Sequence, residues 1–206
     1  LQLDQWLNRA QTSNHLIASE GIFSMDGDKA NVADLAKIAK KHDAWLYLDD
    51  AHSIGVIGDK GQGSCSEANI DITMATFGKS IATSGAFLVC EASLHDYMIN
   101  FCRHYIYSTS ISPALAWATK RSIELIQQEH WRREKIQQLS ALFLSKLDKN
   151  IHVIPSQSSI HAIVIGDESK TLAVSEQLKK QGLWVTAIRS TLRGMKSVML
   201  KWDPII

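Results

Sequence analysis

The stretch AWLYLDDAHSIGVIG, Ala44 to Gly58, decides the fold. An unbroken apolar run, Ala44 to Leu48, ends in two carboxylates, Asp49 and Asp50, with His52 close behind. The run predicts a strand. Immediately upstream, NVADLAKIAKKH places Val32, Leu35, Ala36 and Ala39 at helical spacing. That segment predicts an amphipathic helix with Asn31 as N-cap and Lys40 and Lys41 near its C-terminus, where cations suit the helix dipole. Downstream, ITMATF and GAFLVC are short apolar runs that are continuous rather than alternating. Such runs predict strands buried on both faces, hence an α/β fold with a largely parallel sheet covered by helices.

The same alternation extends along the chain. HLIASEGIFSM predicts a strand running into a turn, and LHDYMINFCRH predicts a helix. Ser112 and Pro113 supply an N-cap and an N1 proline to a long helix, ALAWATKRSIELIQQ. After about residue 128 the character shifts. HWRREKIQQLSALFLSKLDKN is charged and amphipathic, with Ile136, Leu139, Leu142, Phe143 and Leu147 on one face. IHVIP, HAIVIG and LWVTAI predict strands, and SKTLAVSEQLKKQG predicts a helix closed by Gly182. Residues 1–128 therefore read as part of a large domain, and 129–206 as a small α+β domain. RSTLRGMKSVMLKWDPII shows no clear period.

Composition bounds the function. The net charge of +1 over 206 residues gives no footprint of a nucleic-acid or membrane-surface binder. No apolar run approaches the roughly 18 residues of a membrane span. Three widely spaced cysteines, Cys65, Cys90 and Cys102, fit thiols in a reducing cytoplasm better than a disulfide frame. No pair has CxxC spacing, and no third metal ligand stands out beside Asp49 and His52. The chain opens without Met inside an ongoing pattern, so it reads as a fragment.

Ligands of open α/β sheets bind at the carboxyl ends of the strands. Asp49 and His52, spaced D-x-x-H on a turn, sit at such an end. A carboxylate there can hold a metal, act as a base, pair with a cationic heterocycle, or simply cap the next turn. Lys79, in ATFGKSIATSG, lies at another strand end thirty residues on. A lysine beside a carboxylate points to a Schiff-base cofactor. The amine condenses with an aldehyde, and the carboxylate holds a proton on a pyridine nitrogen. A buried carboxylate raises that nitrogen's pKa by stabilising its charged form. Gly78 and the small residues after Lys79 leave room for a flat ring.

EGIFSMDGD (Glu20–Asp28), DDAHSIGVIG (Asp49–Gly58), TFGKS (Thr76–Ser80) and IYSTSISPA (Ile106–Ala114) together resemble the α-oxoamine synthases. These are fold-type I pyridoxal-phosphate enzymes that join an amino acid to an acyl-CoA with loss of carbon dioxide. The resemblance implies a partial large domain with a mainly parallel sheet, followed by a partial small α+β domain. It implies pyridoxal 5'-phosphate (PLP) as cofactor and a cytoplasmic homodimer with a shared active site. By the same resemblance, Lys79 carries the cofactor and later shuttles a proton. Asp49 pairs with the pyridine nitrogen, and His52 bonds the phenolic oxygen. Ser24 contacts the cofactor, and Thr76 bonds its phosphate. Ser108 and Thr109 reach the phosphate held by the neighbouring subunit. DDAH, GVIG, TFGK and WVTAIR are most similar to the branch that makes 8-amino-7-oxononanoate for biotin from L-alanine and a pimeloyl thioester. Glycine C-acetyltransferase, a sphingolipid-type synthase and a non-catalytic remnant are the alternatives. Relative to the family pattern, the phosphate loop and the ring-stacking histidine are expected upstream of this chain. Arg193 lies near the family's substrate-carboxylate arginine, but its surroundings depart from the pattern.

Overall fold

The computed structural model describes residues 2–10, 14–188 and 199–202. The chain divides into two compact units, residues 1–22 with 30–130 and residues 23–29 with 131–206.

The first unit is built on a four-stranded sheet. Its strands are β1 (Leu16–Glu20), β2 (Trp45–Asp49), β3 (Ile72–Thr76) and β4 (Ala86–Cys90), adjacent in that order. β1, β2 and β3 run parallel, with Glu20 opposite Asp49 and Asp49 opposite Met74. β4 returns antiparallel to β3. The expected largely parallel sheet is present, with a reversed strand at one side. A short helix, α1 (Gln2–Leu7), precedes β1, and α2 (Val32–Lys41) links β1 to β2. The Asn31 side chain accepts from the Asp34 N–H at 3.2 Å, so the predicted N-cap forms. Leu7 of α1, Ile17 of β1, Ile38 and Ala39 of α2 and Leu46 of β2 make one buried cluster. The cluster fixes α2 against β1 and β2, and the parallel pairing of β1, β2 and β3 sends their carboxyl ends to one edge. Outside it, Asp4 of α1 binds both Lys41 and His42 at 2.7 Å, which holds its carboxyl below the usual carboxylate range. The hydrogen bonds from those two side chains are the main cause.

Beyond β4 come α3 (Ala92–Phe101), α4 (Arg103–Ile106) and α5 (Pro113–Gln128). Pro113 begins α5 as expected, while the Ser112 hydroxyl makes no capping bond. The expected burial of one strand also fails here. GAFLVC forms β4, but it lies at the outside of the described sheet and is largely exposed rather than buried on both faces. Continuity of an apolar run reports a strand; the neighbours decide whether it is covered.

The second unit combines α6 (His130–Lys146) and α7 (Glu168–Lys180) with a three-stranded antiparallel sheet. Its strands are β5 (His161–Val164), β6 (Thr186–Ile188) and β7 (Met199–Trp202), in the order β5, β7, β6. Gly182 follows α7 with φ at 81°, the left-handed value of a helix-closing glycine. IHVIP is not a strand; it contributes an isolated bridge from Val153 to Ile163. β7, from the stretch without a visible period, is the central strand. On α6, Leu139 and Leu142 stay exposed while Ile136 and Phe143 are half-buried, so the expected apolar face is only partly covered. An apolar cavity of about 440 Å³ lies among Phe143, Leu147, Ile163, Val174, Leu178 and Leu200.

Candidate cofactor site

Two turns leave the shared edge of the sheet side by side. The first follows β2. Successive strand residues face opposite sides, so Asp49 and Asp50 part company: Asp49 is half-buried, whereas Asp50 is fully buried. One Asp49 carboxylate oxygen accepts from the Ala51 N–H at 3.0 Å. Tyr47 lies two residues back on the same face. Burial pushes the Tyr47 hydroxyl's pKa up, and the Asp49 charge adds to that. The Asp50 N–H donates to the Met74 carbonyl at 2.7 Å, which extends the ladder by one residue. The Asp50 carbonyl then accepts from the Ser53 and Ile54 N–H groups at 3.0 and 2.9 Å. This curls the chain into a turn that carries His52, half-buried.

The second turn follows β3. Thr76 is the last residue of that strand, two positions beyond Met74, the partner of Asp49. Parallel strands about 4.8 Å apart thus bring the Thr76 and Asp49 ends together at one edge. Residues 77–85 close a compact loop. The Phe77 N–H donates to the Gly85 carbonyl at 2.9 Å, the Thr83 N–H to the Phe77 carbonyl at 2.8 Å, and the Ala82 N–H to the Lys79 carbonyl at 2.8 Å. Phe77 stacks on Phe87 of β4 with ring centroids 5.6 Å apart. Lys79 sits half-buried within this loop.

A side-chain bond joins the turns. The Ser80 hydroxyl, next to Lys79, donates to the Ile54 carbonyl, two residues past His52, at 2.5 Å. α5 braces the loop from outside: the Ser122 hydroxyl donates to the Ile81 carbonyl at 2.6 Å, and the Thr83 and Thr119 hydroxyls pair at 2.8 Å. Asp49, His52, Thr76 and Lys79 are therefore carried by two adjacent, mutually anchored turns. Ser80 and Thr119 went unread in the sequence. Their only signal was a hydroxyl of ordinary type, immediately after the lysine in the case of Ser80.

The remaining sequence-derived residues lie elsewhere. Ser24 is half-buried in a turn of the second unit, where the Gly27 N–H donates to the Phe23 carbonyl at 2.9 Å. Ser108 and Thr109 are exposed between α4 and α5, and the Ser108 hydroxyl bonds the His104 carbonyl. Arg193 lies outside the described residues. Among the described residues, no cluster of three His, Cys, Asp or Glu side chains is arranged to hold a metal, and no helix is long and apolar enough to cross a membrane. The three cysteines are free thiols.

The model of the family "aminotransferase class I and II" matches residues 2–195. An 8-amino-7-oxononanoate synthase of Photobacterium profundum is 42% identical over 201 residues, which are 97% of this chain and 51% of that protein. The chain thus spans about half the length of the curated relatives it matches. Among solved structures, serine palmitoyltransferase of Sphingomonas wittichii superposes with a TM-score of 0.90 at 27% identity, over 98% of this chain and 52% of that one. A high-resolution structure of SPT with PLP gives a TM-score of 0.87 at 28% identity, over 97% and 52%. The architecture is that of the fold-type I PLP enzymes.

Proposed function

The chain belongs to the aminotransferase class I and II family, and from that premise we propose that it holds pyridoxal 5'-phosphate and serves a decarboxylating condensation. The substrates are L-alanine and a pimeloyl thioester, carried on CoA or an acyl carrier protein, and the product is 8-amino-7-oxononanoate for biotin. The observation that carries this reading is the placement of Lys79 and Asp49 on adjacent, tied turns at the carboxyl edge of two parallel strands.

The residues present fit the cofactor. They supply an amine, a half-buried carboxylate, an imidazole and a strand-end hydroxyl, which suit in turn an aldehyde, a pyridine nitrogen, a phenolic oxygen and a phosphate. Lys79 would hold the aldehyde carbon covalently, and its amine, once displaced by substrate, would accept the α-proton of the amino acid. Asp49, anchored by the Ala51 N–H, would keep the pyridine nitrogen protonated. His52 would bond the phenolic oxygen, and Thr76 the phosphate. Bound there, PLP supplies an electron sink for the carbanion that attacks the thioester. Ser24 would contact the cofactor. Ser108 and Thr109, exposed as they are, would reach the phosphate held by a second copy in a cytoplasmic homodimer.

The close likeness to serine palmitoyltransferase favours a second reading, a serine- or glycine-using synthase of the same chemistry. The higher identity to 8-amino-7-oxononanoate synthases ranks it below the first. Mixing the full chain with PLP tests both. An absorption band at the edge of the visible is expected, and Lys79→Ala is expected to abolish it. A folded wild type without the band overturns the proposal. Titration with alanine, glycine and serine separates the branches: a spectral response to serine or glycine and none to alanine excludes the alanine-using one.

A further inference from the structure

Asp50 shares a motif with Asp49 but does different work. It is 0% exposed, facing away from the Asp49 side of β2. Its Oδ2 accepts from the Cys65 N–H at 3.1 Å, at the start of a short 3-10 turn, Ser64–Glu67. Its Oδ1 has no hydrogen-bond partner. Beside it the Ser64 hydroxyl donates to the Ser53 hydroxyl at 2.9 Å, and both serines are fully buried.

The backbone is shaped around this carboxylate. A Cβ on Gly21, at the end of β1, would stand 2.3 Å from Oδ1 and 2.8 Å from each serine hydroxyl. A Cβ on Gly63 would stand 2.1 Å from Oδ2, and Gly63 has φ at 88°, a region natural to glycine. The end of β1, the turn after β2 and the glycine-rich segment 58–69 therefore converge on one acid. The Gly21 N–H also donates to the Asp49 carbonyl at 2.8 Å, so the convergence reaches the backbone of Asp49 itself. Burying a carboxylate with one oxygen unpaired works against stability. An apolar residue of that size would cost less if filling space were all that was required.

We propose that Asp50 is a positioning residue: its buried carboxylate clamps the glycine-rich segment beneath the turn after β2 and so fixes the Asp49 and His52 side chains for the cofactor. The inference rests on the proposed roles of Asp49 and His52. Asp50 touches neither substrate nor cofactor in this scheme. Cys65 is the titratable group that reports on it, because its thiol is pushed up to about 11, chiefly by burial and then by the Asp50 charge.

The test uses the full chain with Cys90→Ser and Cys102→Ser, so that Cys65 is the sole thiol. In Asp50→Asn, the rate of Cys65 with a disulfide reagent at pH 8 is expected to rise about fivefold or more, since the charge is lost and the bond to the Cys65 N–H is weakened. The His52 ring resonance, assigned by its disappearance in His52→Gln, is expected to move. With PLP added, the pH midpoint of the visible-edge band is expected to shift. Asp50→Glu keeps the charge but displaces the carboxylate by one methylene; the His52 resonance and the band midpoint are expected to move there too. A folded Asn or Glu variant with an unmoved His52 resonance overturns the proposal. So does failure of both variants to fold, which would mark Asp50 as needed for folding alone. A wild type that never forms the band sinks the proposed function instead, and the cofactor-free Cys65 and His52 measurements still decide the clamp.

Discussion

β2 and β4 are five-residue strands of one sheet, both almost wholly apolar, and they live in opposite surroundings. In β2, Leu46 and Leu48 are 0% exposed; in β4, Leu88 and Val89 are 41% and 58% exposed. β2 lies between β1 and β3 under α2, while β4 lies at the outside of the described sheet. The helices after β4 share its exposure: α3 and α4 contain no buried residue, and α5 contains only Thr119. The strand that carries the carboxylates thus has a strand on each side and one fully covered face, and the strand that follows the lysine loop does not. Residue type alone does not separate the two; neighbours do.

The sharpest way to break this contrast is truncation. Leu48→Ala is expected to cost about 2–5 kcal/mol in urea unfolding, because it removes a large buried side chain in a place that cannot collapse. An equal cost for Val89→Ala would refute the contrast. Gly63→Ala comes next, at about 1–3 kcal/mol, from the strained φ and the collision with Asp50. Thermal melts that match wild type would show that the turn is softer than its geometry. Ser80→Ala removes the bond that joins the two site turns, at about 1 kcal/mol. It is also expected to weaken PLP binding, measured as the concentration that half-saturates the visible-edge band.

A pH effect of smaller size probes the half-buried face of β2, the one that Tyr47 shares with Asp49. The fold raises the Tyr47 pKa above 10.0, mainly by burial, so the folded state holds that proton longer than the unfolded chain does. The stability this contributes is intact below that value and lost as pH rises through the folded pKa. Tyr47→Phe is expected to flatten the alkaline arm of the stability curve, and an unchanged arm would contradict the raised pKa. Val89→Ala closes the series, with an expected cost of less than about 0.5 kcal/mol, as for an ordinary surface change.

Much of this was legible in the residues. The helical spacing after Asn31, the apolar run into Asp49 and the glycine after α7 each express a local rule that tertiary structure did not override. Lys79 was legible as lying just beyond a strand because the apolar run before it is short and bounded, whereas Thr76 stood out only through the family resemblance. β7 was not, since Met199–Trp202 gains its meaning from partners nearly forty and about thirteen residues back, His161–Val164 and Thr186–Ile188. The division of labour between Asp49 and Asp50 was hidden because two adjacent carboxylates look alike in sequence, and only the pleat sends them to opposite faces. Ser80 was silent because a serine hydroxyl gives no hint of which carbonyl it will find.

The seven residues Phe23–Lys29 belong to the second unit although their neighbours on both sides belong to the first. There the Ser156 hydroxyl donates to the Gly27 carbonyl at 2.8 Å, and a Cβ on Gly27 would stand 2.5 Å from the Ile160 carbonyl. The units are consequently laced together by three covalent passes rather than strung on one linker. A protease cut near His130 would leave them still tethered through residues 22 and 30. Ending the chain at that point would strip the 23–29 turn, Ser24 included, of the residues it packs on.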